Sequence, residues 1–478
     1  MNKKLAGIYM VVAMVILAIP FVGMSVAKTD WTTENKPLSE MPLLVEDGKF
    51  NMNFLEECGA YFEDHFAFRP HMVNANAWIQ DALLNQSATD QVILGDDGWM
   101  FFSGTMDDYR NENQLSERGL NNAVHNLRIM QSYVQSKGSQ FLLMIVPNKN
   151  TLYGEYMPDY QLEGKGNGNL ERIQPMLDEA GIAYVNLLEA FNKADEVLYY
   201  KEDSHWTNKG AVLAYKNMMK AIQGERSEAD RVDAVSYDIV KEHMGDLAEM
   251  LYPITGMLED NEIYDYDWQY EYVREVVDNM DNWIETTTPG QDGTLLMYRD
   301  SFGESLLPFM AEAFENAYFS RLVPYNMANL NEYKPDVVIV ERVERRIAAF
   351  AEEPAAMQAP KVKERKISEK CETKTTLNTR INGPYCMVTG NVDSEYIQDD
   401  SQIYVQVLDG DRVVGTYAAF HTSNQKSDGS YDDNGYMIYL NNSLLESKEA
   451  CVNIIVSFDG QNYIVKSEKL LFEEENQE

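Results

Sequence analysis

The chain has 478 residues, 45% of them hydrophobic and 11% aromatic, which is enough for sizeable cores and excludes disorder throughout. A chain of this length is expected to form two folded units. The formal net charge of −37 argues against a nucleic-acid partner, because phosphate binding needs clustered Lys and Arg.

The N-terminal segment, residues 1–29, has a basic start followed by an apolar run. Lys3 and Lys4 precede the uncharged residues 5–27, a run long enough to span a bilayer. Positive charge keeps its own flank in the cytoplasm, so the rest of the chain is expected outside. We predict a single-pass anchor in the cell membrane. The alternative is cleavage after the small residues 25–27, which would release a secreted protein.

The next segments are predicted to be helical and then hairpin-like. Residues 54–84 carry apolar side chains at helical intervals, and Arg69-Pro70 marks a break between two helices. Residues 92–102 contain two apolar runs joined by a Gly/Asp turn, a pattern typical of a β-hairpin.

From residue 118 the pattern alternates between helices and short apolar strands, which predicts an α/β domain over residues 30–350. Such strands are typical of a parallel sheet covered by helices on both faces. Residues 225–290 are acidic, aromatic and weakly periodic, and are predicted to be an insertion. The predicted helices are 118–137, 168–180, 208–222 with Thr207 as cap, and 303–315; the predicted strands are 141–146, 183–186, 197–200, 294–298 and 337–340.

The composition changes after residue 350. Residues 351–370 indicate a helix or linker, and residues 371–478 alternate as short strands between Gly/Asp turns, which predicts an antiparallel β-sandwich. The four cysteines fit an extracytoplasmic protein, and their spacing leaves their pairing open. It shows no zinc pattern, so neither a metal nor a cofactor is predicted.

Three residues in two motifs carry the chemistry. In an extended segment Asp203 and His205 project to the same side, so the carboxylate can orient the imidazole. Ser301 follows a predicted strand and opens a helix at the carboxyl edge of the same sheet, where backbone N–H groups favour developing negative charge. Taken singly, these residues also fit a turn, a structural histidine and a helix cap. Together they predict a nucleophilic site.

The motifs Asp203-Ser204-His205-Trp206-Thr207 and Arg299-Asp300-Ser301-Phe302-Gly303 resemble those of the DHHW proteins. These belong with the alginate O-acetyltransferase-like proteins of the SGNH hydrolase superfamily. The resemblance covers roughly residues 34–345, and it implies a permuted SGNH-like fold because Asp and His precede Ser. Two features depart from the wider superfamily. Arg299 replaces a glycine, and the Asp–His spacing is two rather than three, as in the alginate acetyltransferase-like members.

The resemblance implies a role for each residue. Ser301 would be the nucleophile, His205 the general base and Asp203 its orienting carboxylate. The backbone N–H of Ser301 or Phe302 is the expected oxyanion donor.

Two basic residues are further candidates for oxyanion or substrate contacts. Lys149 is expected at the same sheet edge. Arg321 follows the nucleophile, and an ordinary surface arginine is an equal alternative for it. The insertion supplies aromatic side chains that either stack on sugar rings or pack in a core. They are Tyr252, Tyr264, Tyr266, Trp268, Tyr270, Tyr272 and Trp283.

The expected function is extracytoplasmic O-acetyl transfer to a cell-surface or cell-wall polysaccharide. The resemblance implies a membrane-bound O-acyltransferase as the source of the acetyl groups. Two alternatives remain open at this point: a polysaccharide acetylesterase with the same triad, and a non-catalytic envelope protein that binds glycan.

Overall fold

A computed structural model describes residues 3–23, 39–46, 48–84, 86–162, 164–224, 232, 235–426, 431–445 and 450–470. The first helix is Lys3–Gly23. Within these ranges, no helix combines the length and the apolar character that a membrane crossing requires. The predicted membrane-spanning segment is therefore not supported. The predicted cleavage site at residues 25–27 lies outside the described residues.

The main sheet has seven strands in the described part of the chain. The first five strands in sheet order run parallel to one another. The sixth strand pairs antiparallel with the fifth, and the seventh pairs antiparallel with the sixth. The predicted α/β class is confirmed, and the antiparallel edge is an addition to the predicted parallel sheet. In sheet order the strands are Tyr184–Val185, Gln140–Val146, Val337–Val343, Thr294–Tyr298, Asn316–Ser320, Trp283–Thr287 and Glu271–Tyr272.

The central strands bury both faces, which explains why they read as continuous apolar runs. In Gln140–Val146, the side chains of Leu142 and Met144 join the core on one face of the sheet. Phe141 and Leu143 join the core on the other face, as the two-residue period of a strand requires.

Helices cover both faces of this sheet. Asn208–Gln223 and Gly303–Glu312 contribute to the first core, and Glu117–Ser136 and Asn169–Ala180 to the second. The shorter or peripheral helices are Phe54–His65, Arg69–Leu84, Met106–Tyr109, Lys149–Leu152, Leu187–Asn192, Asp246–Leu251, Asn329–Tyr333 and Ala349–Glu352.

The predictions from the sequence were wrong for some strands. Residues 197–200 do not form a sheet strand, and only Tyr199 bridges to Trp206. Strands Trp283–Thr287 and Asn316–Ser320 were not predicted, because the first lies in the weakly periodic insertion and the second has a short, mixed pattern. The insertion also forms a hairpin, Tyr237–Met244 with Leu258–Tyr264.

Two smaller hairpins lie near the N-terminus. Val92–Leu94 pairs antiparallel with Met100–Phe102, as the Gly/Asp turn predicts. Val45–Glu46 pairs with Lys49–Phe50.

The C-terminal region contains two sheets, as predicted for a sandwich. Two strands, Lys361–Val362 and Glu369–Lys370, fall inside the predicted linker. They form the two edge strands of one sheet. All four cysteines are free. The first sheet has the order Lys361–Val362, Arg412–Ala418, Gln402–Asp409, Ala450–Phe458, Gln461–Lys469 and Glu369–Lys370; the second has Asn378–Asn382, Tyr385–Asn391, Tyr431–Asn441 and Phe420–Gln425.

Glu117–Ser136, which we call the interface helix, joins the two regions. The Asn126 side-chain amide donates to the backbone oxygens of Phe350 (2.8 Å) and His421 (2.7 Å), and its Oδ1 accepts from His421 N at 2.9 Å. Phe420 of the sandwich belongs to the same apolar core as this helix. The sandwich therefore packs directly on the α/β region.

Candidate active site

The three predicted residues meet at the carboxyl edge of the main sheet. Strand Thr294–Tyr298 ends just before Ser301. The bridge between Tyr199 and Trp206 closes the loop that carries His205. As a result, His205 Nε2 lies 2.8 Å from Ser301 Oγ, within hydrogen-bond reach.

Asp203 lies behind the imidazole, and both of its oxygens are used. Oδ1 is 2.8 Å from His205 Nδ1 and accepts from the His205 backbone N–H at 2.7 Å. Oδ2 is 2.9 Å from His243 Nε2 and accepts from the Asp246 backbone N–H at 3.1 Å. Four contacts therefore fix the carboxylate that orients His205.

This arrangement sets the charge of the pair. Burial alone would raise the pKa of the Asp203 carboxyl, but its hydrogen bonds with His205 and His243 hold that pKa well below the usual value. Burial alone would lower the pKa of His205, yet the neighbouring Asp203 and Asp246 carboxylates raise it. The site stabilises the imidazolium that would form when His205 takes a proton from Ser301.

Asp246 is held by the residue between the two motif residues. The Ser204 hydroxyl donates to Asp246 Oδ2 at 2.5 Å, and the Ser204 N–H donates to Oδ1 at 2.7 Å. Burial and the charge of Asp203 raise the pKa of Asp246.

The donor atoms of Asp203, His205 and Asp246 all lie within 4.8 Å of one another, a spacing that suits a cation. A cation there would have to replace the hydrogen bond between Asp203 and His205. The geometry therefore fits proton transfer better than metal ligation.

The nucleophile turn is fixed by Asp300. Its Oδ1 accepts from Phe302 N at 2.9 Å and its Oδ2 from Val343 N at 2.8 Å, so the carboxylate joins two strand ends. A Cβ at Gly303 would lie 2.7 Å from the Arg299 Cβ, so only glycine fits at this position without a shift. The turn holds Ser301 in a constrained position.

The predicted oxyanion role of the Phe302 N–H disagrees with this geometry, since that group already donates to Asp300. The Ser301 N–H has no acceptor among the described residues and keeps the role. The Phe302 ring instead packs 4.7 Å from the His205 ring and 5.2 Å from the Trp206 ring, measured between centroids.

Lys149 lies at the predicted sheet edge, but neither it nor Arg321 lines the cavity beside Ser301. Lys149 is buried and its Nζ donates to the carbonyl oxygens of Met100 (2.6 Å), Lys201 (2.7 Å) and Asp203 (2.9 Å). All three protons are used within the protein, and burial lowers the pKa of the amine to about 7. Lys149 therefore braces the Asp203 loop. Arg321 donates to the Met280 carbonyl oxygen at 2.8 Å and does not line the cavity beside Ser301.

A cavity of about 410 Å³ opens beside Ser301 and His205, within the range of small-molecule sites. Asn279 also lines the cavity, and its Oδ1 accepts from the Tyr272 hydroxyl at 2.9 Å, which leaves its amide N–H groups for a ligand. Of the insertion's aromatic residues, only Tyr264 and Trp268 line this cavity. Its wall also includes Asn208, Asn261, Glu262, Glu304 and Phe309.

Sequence reasoning missed His243, Asp246 and Asn279. His243 lies three residues before Asp246, which begins a helix, in a chain with only six histidines. The small number of histidines was the signal by which His243 could have been found. Asn279 offered none, because its position depends on Arg299, which donates to the Asn279 carbonyl oxygen.

Comparison with known proteins bears on the first motif. Residues 92–275 match the family model of the SGNH hydrolase-like domain of acetyltransferase AlgX. The matched segment contains Asp203 and His205 and ends before Ser301. It confirms the predicted resemblance to the alginate acetyltransferase-like proteins.

A probable alginate O-acetylase, AlgJ, from Pseudomonas syringae pv. tomato is 24% identical over 207 residues, which is 42% of this chain and 50% of that protein. The chain spans about half the length of the curated relatives it matches.

Two solved structures are also similar. PatB1 of Bacillus cereus is 14% identical, with a TM-score of 0.44 over 53% of this chain and 96% of that one. A DHHW family protein from Eubacterium siraeum is 16% identical, with a TM-score of 0.42 over 55% of this chain and 95% of that one.

Proposed function

We propose, from the match of residues 92–275 to the SGNH hydrolase-like domain of acetyltransferase AlgX, that the protein is an O-acetyltransferase acting on a polysaccharide. Ser301 would be its nucleophile, His205 its general base and Asp203 the carboxylate that orients the imidazole. The single observation that supports this best is the 2.8 Å distance between His205 Nε2 and Ser301 Oγ.

In the first half-reaction, Ser301 Oγ attacks the acetyl carbonyl carbon of the donor while His205 Nε2 takes its proton. The Ser301 N–H would stabilise the negative charge that develops on the carbonyl oxygen, and the Asn279 amide, which also lines the cavity, is a second candidate donor. The donor's leaving group departs with the proton from His205, and an acetyl-serine remains.

In the second half-reaction, a sugar hydroxyl gives its proton to His205 and attacks the acetyl-serine carbonyl. The Ser301 oxygen leaves and recovers the proton from the imidazolium. Asp203 stabilises the imidazolium in both steps, in keeping with the raised pKa of His205.

The location and the acetyl donor are parts of the same proposal. Export is supported by the basic residues Lys3 and Lys4 ahead of the apolar residues 5–27, and a membrane-bound O-acyltransferase would supply the acetyl groups. Protection of the folded part from external protease in intact cells would contradict the extracytoplasmic location.

The function is tested with Ser301→Ala. Release of chromophore from 4-nitrophenyl acetate should fall at least 10³-fold, because the acetyl-serine cannot form. Ser136→Ala, at the far end of the interface helix, is the matched control and should keep full activity.

The acetylated product separates the two enzyme hypotheses. Mass spectrometry of added oligosaccharides would detect transfer, whereas acetate alone would indicate an esterase. Unchanged chromophore release by Ser301→Ala would eliminate both enzymes and leave a binding protein.

A further inference from the structure

We propose that the acetyl acceptor is an uncharged glycan and that the cavity beside Ser301 selects against polyanionic sugars such as polyuronates. The proposal rests on the acetyltransferase function proposed above. It is carried by the charges and the aromatic surface of one cavity.

The first observation is the sign of the charged groups that line the cavity. Glu304 lies one helical turn after Ser301, is half-buried, and accepts no hydrogen bond from a described residue. Glu262 lines the wall further from the nucleophile, and its Oε2 is buried with no hydrogen-bond partner among the described residues. No lysine or arginine is among the described residues of the wall.

The nearby cations are turned away from this wall. Arg299 is 3% exposed and donates to the backbone oxygens of Asn279 and Asp300. Lys149 Nζ donates its hydrogen bonds to three carbonyl oxygens. Arg345 lies over the Phe102 ring, 5.5 Å from its centroid. Lys209 Nζ approaches Glu262 Oε1 at 3.8 Å, and Arg299 interacts electrostatically with Glu304, so each cation offsets part of one wall charge.

A carboxylate on the acceptor would therefore face the carboxylates of Glu304 and Glu262, and no lysine or arginine among the described residues of the wall could form a bidentate pair with it. Sugar hydroxyls, in contrast, can donate to the carboxylate oxygens of Glu304. The same carboxylate that repels an anion is a hydrogen-bond acceptor for a neutral sugar.

The second observation is an apolar surface on the same wall. Trp268 stacks on Tyr266 with 4.3 Å between centroids and meets Phe309 edge-on at 5.1 Å, so its ring is held in place. Trp268 and Phe309 both line the cavity. A rigid aromatic face suits the C–H face of a pyranose ring, and the Glu304 carboxylate and Asn261 suit its hydroxyls.

The experiment uses the full chain with 4-nitrophenyl acetate as donor and two acceptors of equal length. One is a β-1,4-linked glucose oligosaccharide, and the other is the same oligosaccharide with each C6 alcohol oxidised to a carboxylate. Chromophore release reports formation of the acetyl-serine, and mass spectrometry reports transfer.

Transfer to the neutral acceptor should exceed transfer to the charged one at least tenfold, and the ratio should shrink at high salt because screening weakens the repulsion. Glu304→Gln should raise the relative rate on the charged acceptor severalfold. Glu112→Gln, on an exposed glutamate outside the cavity, should leave the ratio unchanged.

Trp268 gives a second measurement. Trp268→Ala should raise the KM for the neutral acceptor roughly tenfold, whereas Trp283→Phe, at the sheet edge outside the cavity, should not.

Equal or faster transfer to the charged acceptor would overturn the proposal. Transfer to neither acceptor, with chromophore release intact, would also overturn it. Loss of chromophore release itself, down to the level of Ser301→Ala, would instead overturn the acetyltransferase function.

Discussion

Two pairs of histidines lie in different parts of the molecule, one beside a carboxylate and the other away from any described carboxylate. His205 and His243 flank the Asp203 carboxylate at the sheet edge, each within 2.9 Å of one of its oxygens. His125 and His421 stack at 3.7 Å between the interface helix and the sandwich. Neither of these two rings pairs with a carboxylate among the described residues.

The difference shows that burial does not decide the charge of a histidine. Burial lowers the pKa of His125 to about 4 and that of His421 well below its usual value. At His205 the same effect is outweighed by the Asp203 and Asp246 carboxylates, and the pKa rises. His205 is therefore set to take a proton, and the interface pair to remain neutral.

Among the substitutions that test this difference, Asp203→Asn is expected to have the largest effect on kcat. The amide removes the charge that raises the pKa of His205 and disturbs the orientation of the ring, so kcat should fall about 10³–10⁴-fold. The acid limb of the pH–rate profile should move to lower pH. A small loss with an unshifted profile would contradict the assigned role of Asp203.

Because His125 and His421 are buried as neutral rings, we expect the protein to lose stability in acid. His125 titrates near 6.5 when unfolded and near 4 when folded, so its contribution is present above pH 6.5 and is lost as the pH falls toward 4. From this residue alone, the free energy of unfolding should drop by roughly 2 kcal/mol between pH 7 and pH 5.

Urea denaturation at both pH values measures this loss. His125→Gln should flatten the dependence, whereas His71→Gln, which replaces an exposed histidine, should not. The interpretation would fail if all three proteins lost the same stability between pH 7 and pH 5.

The smallest expected effect is that of His243→Leu. His243 contacts Asp203 and not Ser301, so it is a positioning residue, and its loss should lower kcat about tenfold with little change in KM. His243→Gln can still donate to Asp203 Oδ2 and should recover part of the activity. Equal losses in both variants would mean that only the ring's stacking on Tyr200 matters.

Much of the fold could be predicted because the strands are buried on both faces. Strand Thr294–Tyr298 has the predicted bounds, and helix Asn208–Gln223 begins after the Thr207 cap, which accepts from the Gly210 N–H at 3.2 Å. Strand Trp283–Thr287 was missed, because it lies in the weakly periodic insertion and gives no clear local pattern.

The site was predictable only where its residues are adjacent in sequence. The spacing of Asp203 and His205 and the strand before Ser301 placed the triad candidates. The direction of individual groups was not readable: the Phe302 N–H points to Asp300, and Lys149 to backbone carbonyls. Such directions depend on tertiary contacts that no local pattern encodes.

The interface helix has a consequence for how such proteins can be recombined. Thirteen of its twenty residues are buried, between the main sheet on one side and the sandwich on the other. A catalytic region moved into another protein without its sandwich would leave the side chains of Asn122, His125 and Asn126 without the partners that the sandwich supplies. Transplanting the chemistry therefore requires either moving both regions as one unit or redesigning the outward face of this helix.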